Sequence, residues 1–255
     1  MSWWRRVAST YGRIGRLYWA CAPQLLVTAL VIFLPLGLLD AVSAHIEAED
    51  FKLDTGFRVA AVAGAIGALT TTSLLGTVFY SGVVSALLAH PRGEPRPSVT
   101  QISRRLDYPR LIAVDLIVVA IVVLGLVLGV VPGVLAFVWL GLAGAVVEFE
   151  RRGVLESLRR SASLVRHNAW LVAAVLIPIE LAGTALGEVI SGLADSTLGE
   201  GLLVAWIADL LANLTLTPIS GVAVVLLTAN LIAAKDGSGP ALKVDASPAD
   251  ELVVA

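Results

Sequence analysis

The chain has 255 residues, 57% of them hydrophobic, with a mean hydropathy of +0.87, a formal net charge of −2 and one cysteine. Soluble domains run at roughly 45–50% apolar, so a water-soluble fold is excluded. Cys21 alone excludes an intramolecular disulfide and leaves no Cys-based metal site.

In chain order, Trp3, Trp4, Val7, Tyr11, Ile14, Leu17 and Tyr18 recur at helical spacing with Arg5, Arg6, Arg13 and Arg16 between them. An apolar face beside an arginine-rich one is the pattern of a helix lying in the membrane interface. A bilayer core of about 30 Å takes about 20 helical residues per crossing. On that ruler the apolar runs predict spans near 20–40, 59–88, 111–131, 132–149, 169–190 and 212–233. A competing reading treats residues 1–44 as a signal peptide cleaved after Val42-Ser43-Ala44. Against it, the leading region is too long and aromatic and the apolar core too extended.

Two further interfacial arms are expected. Before the third span, Ser98-Val99-Thr100-Gln101 reads as a capping box after Pro95 and Pro97, with Val99, Ile102 and Leu106 on one face. Before the fifth, Val154, Leu155, Leu158, Ala162 and Val165 form an apolar stripe. Arg152, Arg159 and Arg166 lie seven apart on another face, and Glu156 is placed to pair with Arg160 at i+4. Each unit then reads as an arm, a span out and a span back, starting near residues 3, 98 and 154. The third and fourth spans meet in an uncharged hairpin through Val130-Val131-Pro132-Gly133.

The basic residues orient the chain. Of the 18 Lys and Arg, only Lys52 and Arg58 fall in the outer gaps; the rest sit before the first span, in the second and fourth gaps, and in the tail. Cytoplasmic loops carry the Lys/Arg excess. The expectation is therefore an all-α polytopic protein of a bacterial inner membrane. Residues 1–234 form one six-helix domain with three cytoplasmic-side amphipathic helices, both termini are cytoplasmic, and 235–255 form a disordered tail.

Residues 144–170 include Val146-Val147-Glu148 closing a span, a Leu158-Arg159-Arg160-Ser161 core, then Leu164-Val165 and Trp170 leading into the next span. This segment resembles one recurrent in bacterial six-span proteins. These include the membrane domain attached to some glycerophosphoryl diester phosphodiesterases, and the YciC-like proteins. The family often has a proline before the valine pair, where Gly144 and Ala145 stand here. The resemblance implies the six-span layout and no activity, because the phosphodiesterase chemistry belongs to a separate domain that does not occur in this sequence.

Candidate chemistry is sparse. No predicted span holds Lys, Arg or His; His45, His90 and His167 fall in gaps or at span ends, with no zinc-binding spacing and no phosphate loop. No enzyme, cofactor, metal site or nucleic-acid partner is expected. Among acidic residues, Asp115 is expected shallow on the inner side, Glu148 at the inner interface, and Asp209 and Glu188 near the outer surface. Glu180 lies 12 residues beyond Asn168, roughly 18 Å deep, just after Pro178, which frees the carbonyl of Ala174. Charge at that depth is costly and often functional. One reading is a proton or ion site; the other is a neutral acid bonded to hydroxyls such as Ser220, Thr217 or the Thr70–Ser73 run. Glycines four apart (Gly125 and Gly129, Gly129 and Gly133, Gly183 and Gly187) allow close helix approach, as does the Gly64 and Gly67 pair. Trp3, Trp4, Trp19 and Trp170 fit an inner aromatic belt.

The expected role is a non-enzymatic scaffold that gathers anionic lipid or a membrane partner, a second copy included, with Arg152, Arg159, Arg160 and Arg166 contacting headgroups. The alternative is a small transporter or permease with Glu180, Ser220 and Thr217 in its pathway.

Overall fold

A computed structural model describes residues 3–38, the backbone alone of 39–50, and residues 76–88, 101, 104–199 and 201–237. Its elements are all helices: α1 (Trp3–Asp50), α2 (Thr77–Leu88), α3 (Tyr108–Leu128), α4 (Val130–Leu140), α5 (Ala143–Glu150), α6 (Val154–Val165), α7 (Ala169–Leu198) and α8 (Leu202–Asp236). Five segments are long and apolar enough to cross a membrane: Trp3–Leu38, Tyr108–Leu128, Val130–Glu150, Ala169–Leu198 and Leu202–Asp236. The all-helical expectation holds. Most of the predicted second span lies outside the described residues, as do Ser98-Val99-Thr100 and Ile102, the Thr70–Ser73 run, Gly64 and Gly67, His90, the side chain of His45, and the chain beyond Gly237.

The first arm and the first span are one helix, which corrects the expected break between them. Val7, Thr10, Ile14, Leu17, Cys21, Leu25, Ala29 and Phe33 are buried in one unbroken stripe. Of the arm's apolar positions, Val7, Ile14 and Leu17 therefore turn into the bundle, whereas Trp3 and Trp4 stay exposed. Helices α1 and α8 run antiparallel: Trp206 Nε1 donates to the Leu34 carbonyl at 3.1 Å near one end, while Tyr80 of α2 ties the middle of both together. Trp3 and Asp236 thus share one end of the bundle, here termed the basic end because the described arginines gather there.

Helix α8 is the axis. It packs along α1 and α7 and meets α2, α5 and α6. Every residue from Ser220 to Ala229 is buried, as expected of a helix apolar all round. The predicted spans at 169–190 and 212–233 extend here to Leu198 and back to Leu202, since no proline falls in either extension and Gly199 takes φ +83° just past the end of α7. Lys235 and Asp236, assigned to a tail from the sequence, close α8, and Gly237 takes φ +74° as its cap.

The hairpin turns at Gly129 (φ +145°), three residues earlier than its proline. A Cβ on Gly125 would lie 2.8 Å from the Cα of Gly133, so this pair, eight apart, lets the two arms cross. The second arm is jointed: α4 ends at a turn over Gly141 and Leu142, and α5 continues.

Helix α2 is wedged between α5, α8 and α3. A Cβ on Gly221 would meet the Tyr80 ring at 2.7 Å, and one on Gly144 would run into the Val78 carbonyl oxygen. By contrast a Cβ on Gly183 would make ordinary contact with Leu216 at 3.8 Å. Gly144→Ala is expected to lower stability by about 1–3 kcal/mol through overpacking, whereas Gly183→Ala stays within about 0.5 kcal/mol. Thermal unfolding of both purified variants in one detergent checks the contrast.

Candidate functional site

Three polar arrangements stand out. The first surrounds Asp115. The sequence places this residue shallow on the inner side; the structure buries it at 4% exposure on α3, against the start of α2. Gly76 takes φ +97°, so the helix cannot run through it. The freed amides at a helix start need acceptors. Gly76 N–H donates to Asp115 Oδ2 at 2.7 Å, and the amides of Val78 and Phe79 also face the carboxylate. Among the described residues, Oδ1 has no partner of standard hydrogen-bond geometry. The negative charge also suits the positive end of the α2 dipole. Asp115 is thus a cap supplied by a neighbouring helix. Its signal in the sequence is a lone acid in an apolar run, but its partner is remote.

The second is an ionic clasp at the basic end. Arg160 donates through Nε to Glu150 Oε1 at 2.9 Å, and its Nη2 pairs with Asp236. Arg152 also bonds Glu150. Lys235 Nζ donates to the Ser163 hydroxyl at 3.1 Å and carbonyl at 3.2 Å. Together these contacts hold α6 to α5 and α8. Glu156, the expected partner of Arg160, stays exposed, because the Glu150 and Asp236 carboxylates converge on the guanidinium from two other helices. Burial alone would lower the Arg160 pKa; the two hydrogen-bonded carboxylates outweigh it and hold it above its ordinary value. A raised cation pKa contributes stability at every pH below the ordinary arginine value and loses it only above, so the guanidinium keeps its charge throughout neutral pH.

The apolar stripe expected on α6 is rotated. Leu158, Leu164 and Val165 are buried together with Ser157 and Ser161, while Leu155 is exposed. The serines are small enough to let α6 sit close against α4, and Ser161 Oγ donates to the Trp139 carbonyl at 2.7 Å. Arg159 and Arg166 remain exposed, and among the described residues no carboxylate pairs with either. Of the four arginines expected to meet headgroups, Arg152 and Arg160 are therefore engaged within the fold. Trp3, Trp4, Trp19 and Trp170 are all exposed.

The third is Glu180. It is half-buried on α7, and Ser220 Oγ of α8 donates to its Oε1 at 2.5 Å. Thr217 does not join it: its hydroxyl reaches Asn213 Oδ1 at 3.4 Å, and Asn213 Nδ2 donates to Asp209 Oδ1 at 3.1 Å. The Ala174 carbonyl freed by Pro178 accepts from the Tyr11 hydroxyl at 3.1 Å, which also lies 3.2 Å from the Val175 carbonyl. The proline signalled the free acceptor; nothing local named the donor. Among the described residues no group of three His, Cys, Asp or Glu could hold a metal ion.

No family model matches the chain, and neither a curated protein nor a solved structure is found to match it. The residues that carry the family resemblance are largely packing residues here: Val146, Val147, Leu158, Ser161, Leu164 and Val165 are all buried at the α5–α6 corner.

Glu150 and Arg160 are each 14% exposed at the side chain. Arg160→Gln leaves Glu150 with Arg152 alone and takes the ion pair from Asp236, and is expected to cost about 1–3 kcal/mol, against about 0.5 kcal/mol or less for Arg159→Gln. Denaturation midpoints of the two variants test the difference.

Proposed function

We propose that this protein is a six-span protein of a bacterial inner membrane, with both termini cytoplasmic, and that it is a non-enzymatic scaffold whose α6 gathers anionic lipid or a lipid-bound partner at the inner leaflet. The observation that carries the reading is the division of labour among the α6 arginines. Arg152 and Arg160 are spent on Glu150 and Asp236, which fixes the helix at the basic end. Arg159 and Arg166, two helical turns apart on one face, are left exposed. A rigid helix presenting two arginines beside exposed Trp170 suits a headgroup layer, where each basic residue is worth about 1 kcal/mol. The crowding of basic residues at the end shared by Trp3 and Asp236 supports the orientation. The family resemblance supports the same layout and suggests no chemistry.

Replacing Arg159 and Arg166 together by Gln is expected to weaken capture by anionic vesicles by about 30-fold at low salt, with the difference shrinking as salt is added. Vesicle flotation of the purified protein measures it; unchanged capture would leave α6 as a structural corner only. For topology, cysteines placed at Ser196 and Glu156, both exposed, are tested in intact cells with an impermeant thiol reagent. Only Ser196→Cys is expected to label, and labelling of Glu156→Cys alone inverts the orientation.

A further inference from the structure

We propose that Glu180 is a proton-exchange site inside the bundle, reached from the end opposite the arginines along a polar stripe on α8. Three observations converge. First, the carboxyl meets a hydroxyl on a different helix, Ser220 Oγ to Glu180 Oε1 at 2.5 Å. Second, each helix carries a proline at this level: Pro178 stands two residues before Glu180 and Pro218 two before Ser220. Each proline deprives a carbonyl of its helical donor. Tyr11 answers for Ala174, and Pro218 leaves the Leu214 carbonyl as an acceptor one turn from the pair. Third, Asp209, Asn213, Thr217 and Ser220 follow one another at i+4, i+4 and i+3, a single face of α8. The side chains of the first three are joined in sequence, Asn213 Nδ2 to Asp209 Oδ1 at 3.1 Å and Thr217 Oγ1 to Asn213 Oδ1 at 3.4 Å, and Ser220 stands one turn beyond Thr217. A row of hydroxyls and amides supplies the partners that ordered water requires, whereas the flanking faces of α8 are apolar.

The elements packed on α7 are α8, α1 and α4. From α8 the facing group is Ser220; Asp209, about three turns away, lies against Gly37 of α1. From α1 the nearest is the Tyr11 hydroxyl on the Ala174 carbonyl. Helix α4 carries no titratable side chain, and α7 itself adds Glu188 two turns on. The step is a plain equilibrium: the Glu180 carboxylate takes a proton from water at the far end and becomes a carboxylic acid, the only bond made or broken being O–H. It requires the fold but not the lipid-gathering role, so either reading can fail alone.

The test uses the full chain in lipid nanodiscs and the infrared C=O stretch of protonated carboxyls. A band lost in Glu180→Gln is expected, one that titrates with pH and that shifts on transfer to deuterated water. In Asn213→Leu/Thr217→Val the band is expected to persist with deuteration slowed at least about tenfold. A band that neither titrates nor exchanges, or exchange unchanged in the double variant, overturns the proposal. If Glu180→Gln does not fold, Ser220→Ala keeps the carboxyl and is expected to shift the band; an unmoved spectrum in that variant also overturns it.

Discussion

A helix that begins inside an apolar bundle exposes amides that nothing in hydrocarbon can accept. Helix α2 does this at Gly76, and Asp115 of α3 is what the chain supplies. Much of the packing follows from that cap. With its start anchored on α3, α2 lies across α5 and α8, where Gly144 and Gly221 leave room for its backbone and the Tyr80 ring. Tyr80 then reaches through to the Leu25 carbonyl of α1 at 2.9 Å. One carboxylate thereby positions a short helix that ties three long ones together.

The basic end works by a different device. There a guanidinium and an ammonium hold α6 against α5 and α8. These contacts join three helices at once. The result is a helix fixed along one face and still presenting arginine on the other. Scaffold and surface come from one short segment, residues 152–166, because an α-helix turns the successive Arg159 and Arg160 to different sides.

Several polar groups within the described spans serve helix starts and prolines. Asp115 answers the start of α2 at Gly76, Tyr11 the carbonyl freed by Pro178, and the Glu180–Ser220 bond lies two residues past a proline on each helix. In hydrocarbon a broken helix and a polar side chain need each other, since each alone leaves an unmet hydrogen bond.

The long apolar runs, the hairpin near Pro132, the start of α7 at Ala169 and the segregation of basic residues were all legible in the sequence, because bilayer thickness and helix rise act on local stretches. So was the free carbonyl of Ala174, which follows from proline's missing amide. Tertiary structure alone decided that the first arm continues α1, that Arg160 turns to Glu150 and Asp236 and not to Glu156, that Ser220 and not Thr217 meets Glu180, and that Asp115 caps a helix. Each of these depends on how far a helix is rotated and where it crosses its neighbour. Those angles are set by close contacts between residues distant in sequence, at Gly125 and Gly133, at Gly144 and at Gly221. A periodic pattern says which face of a helix is apolar, but not which neighbour that face will meet or at what height.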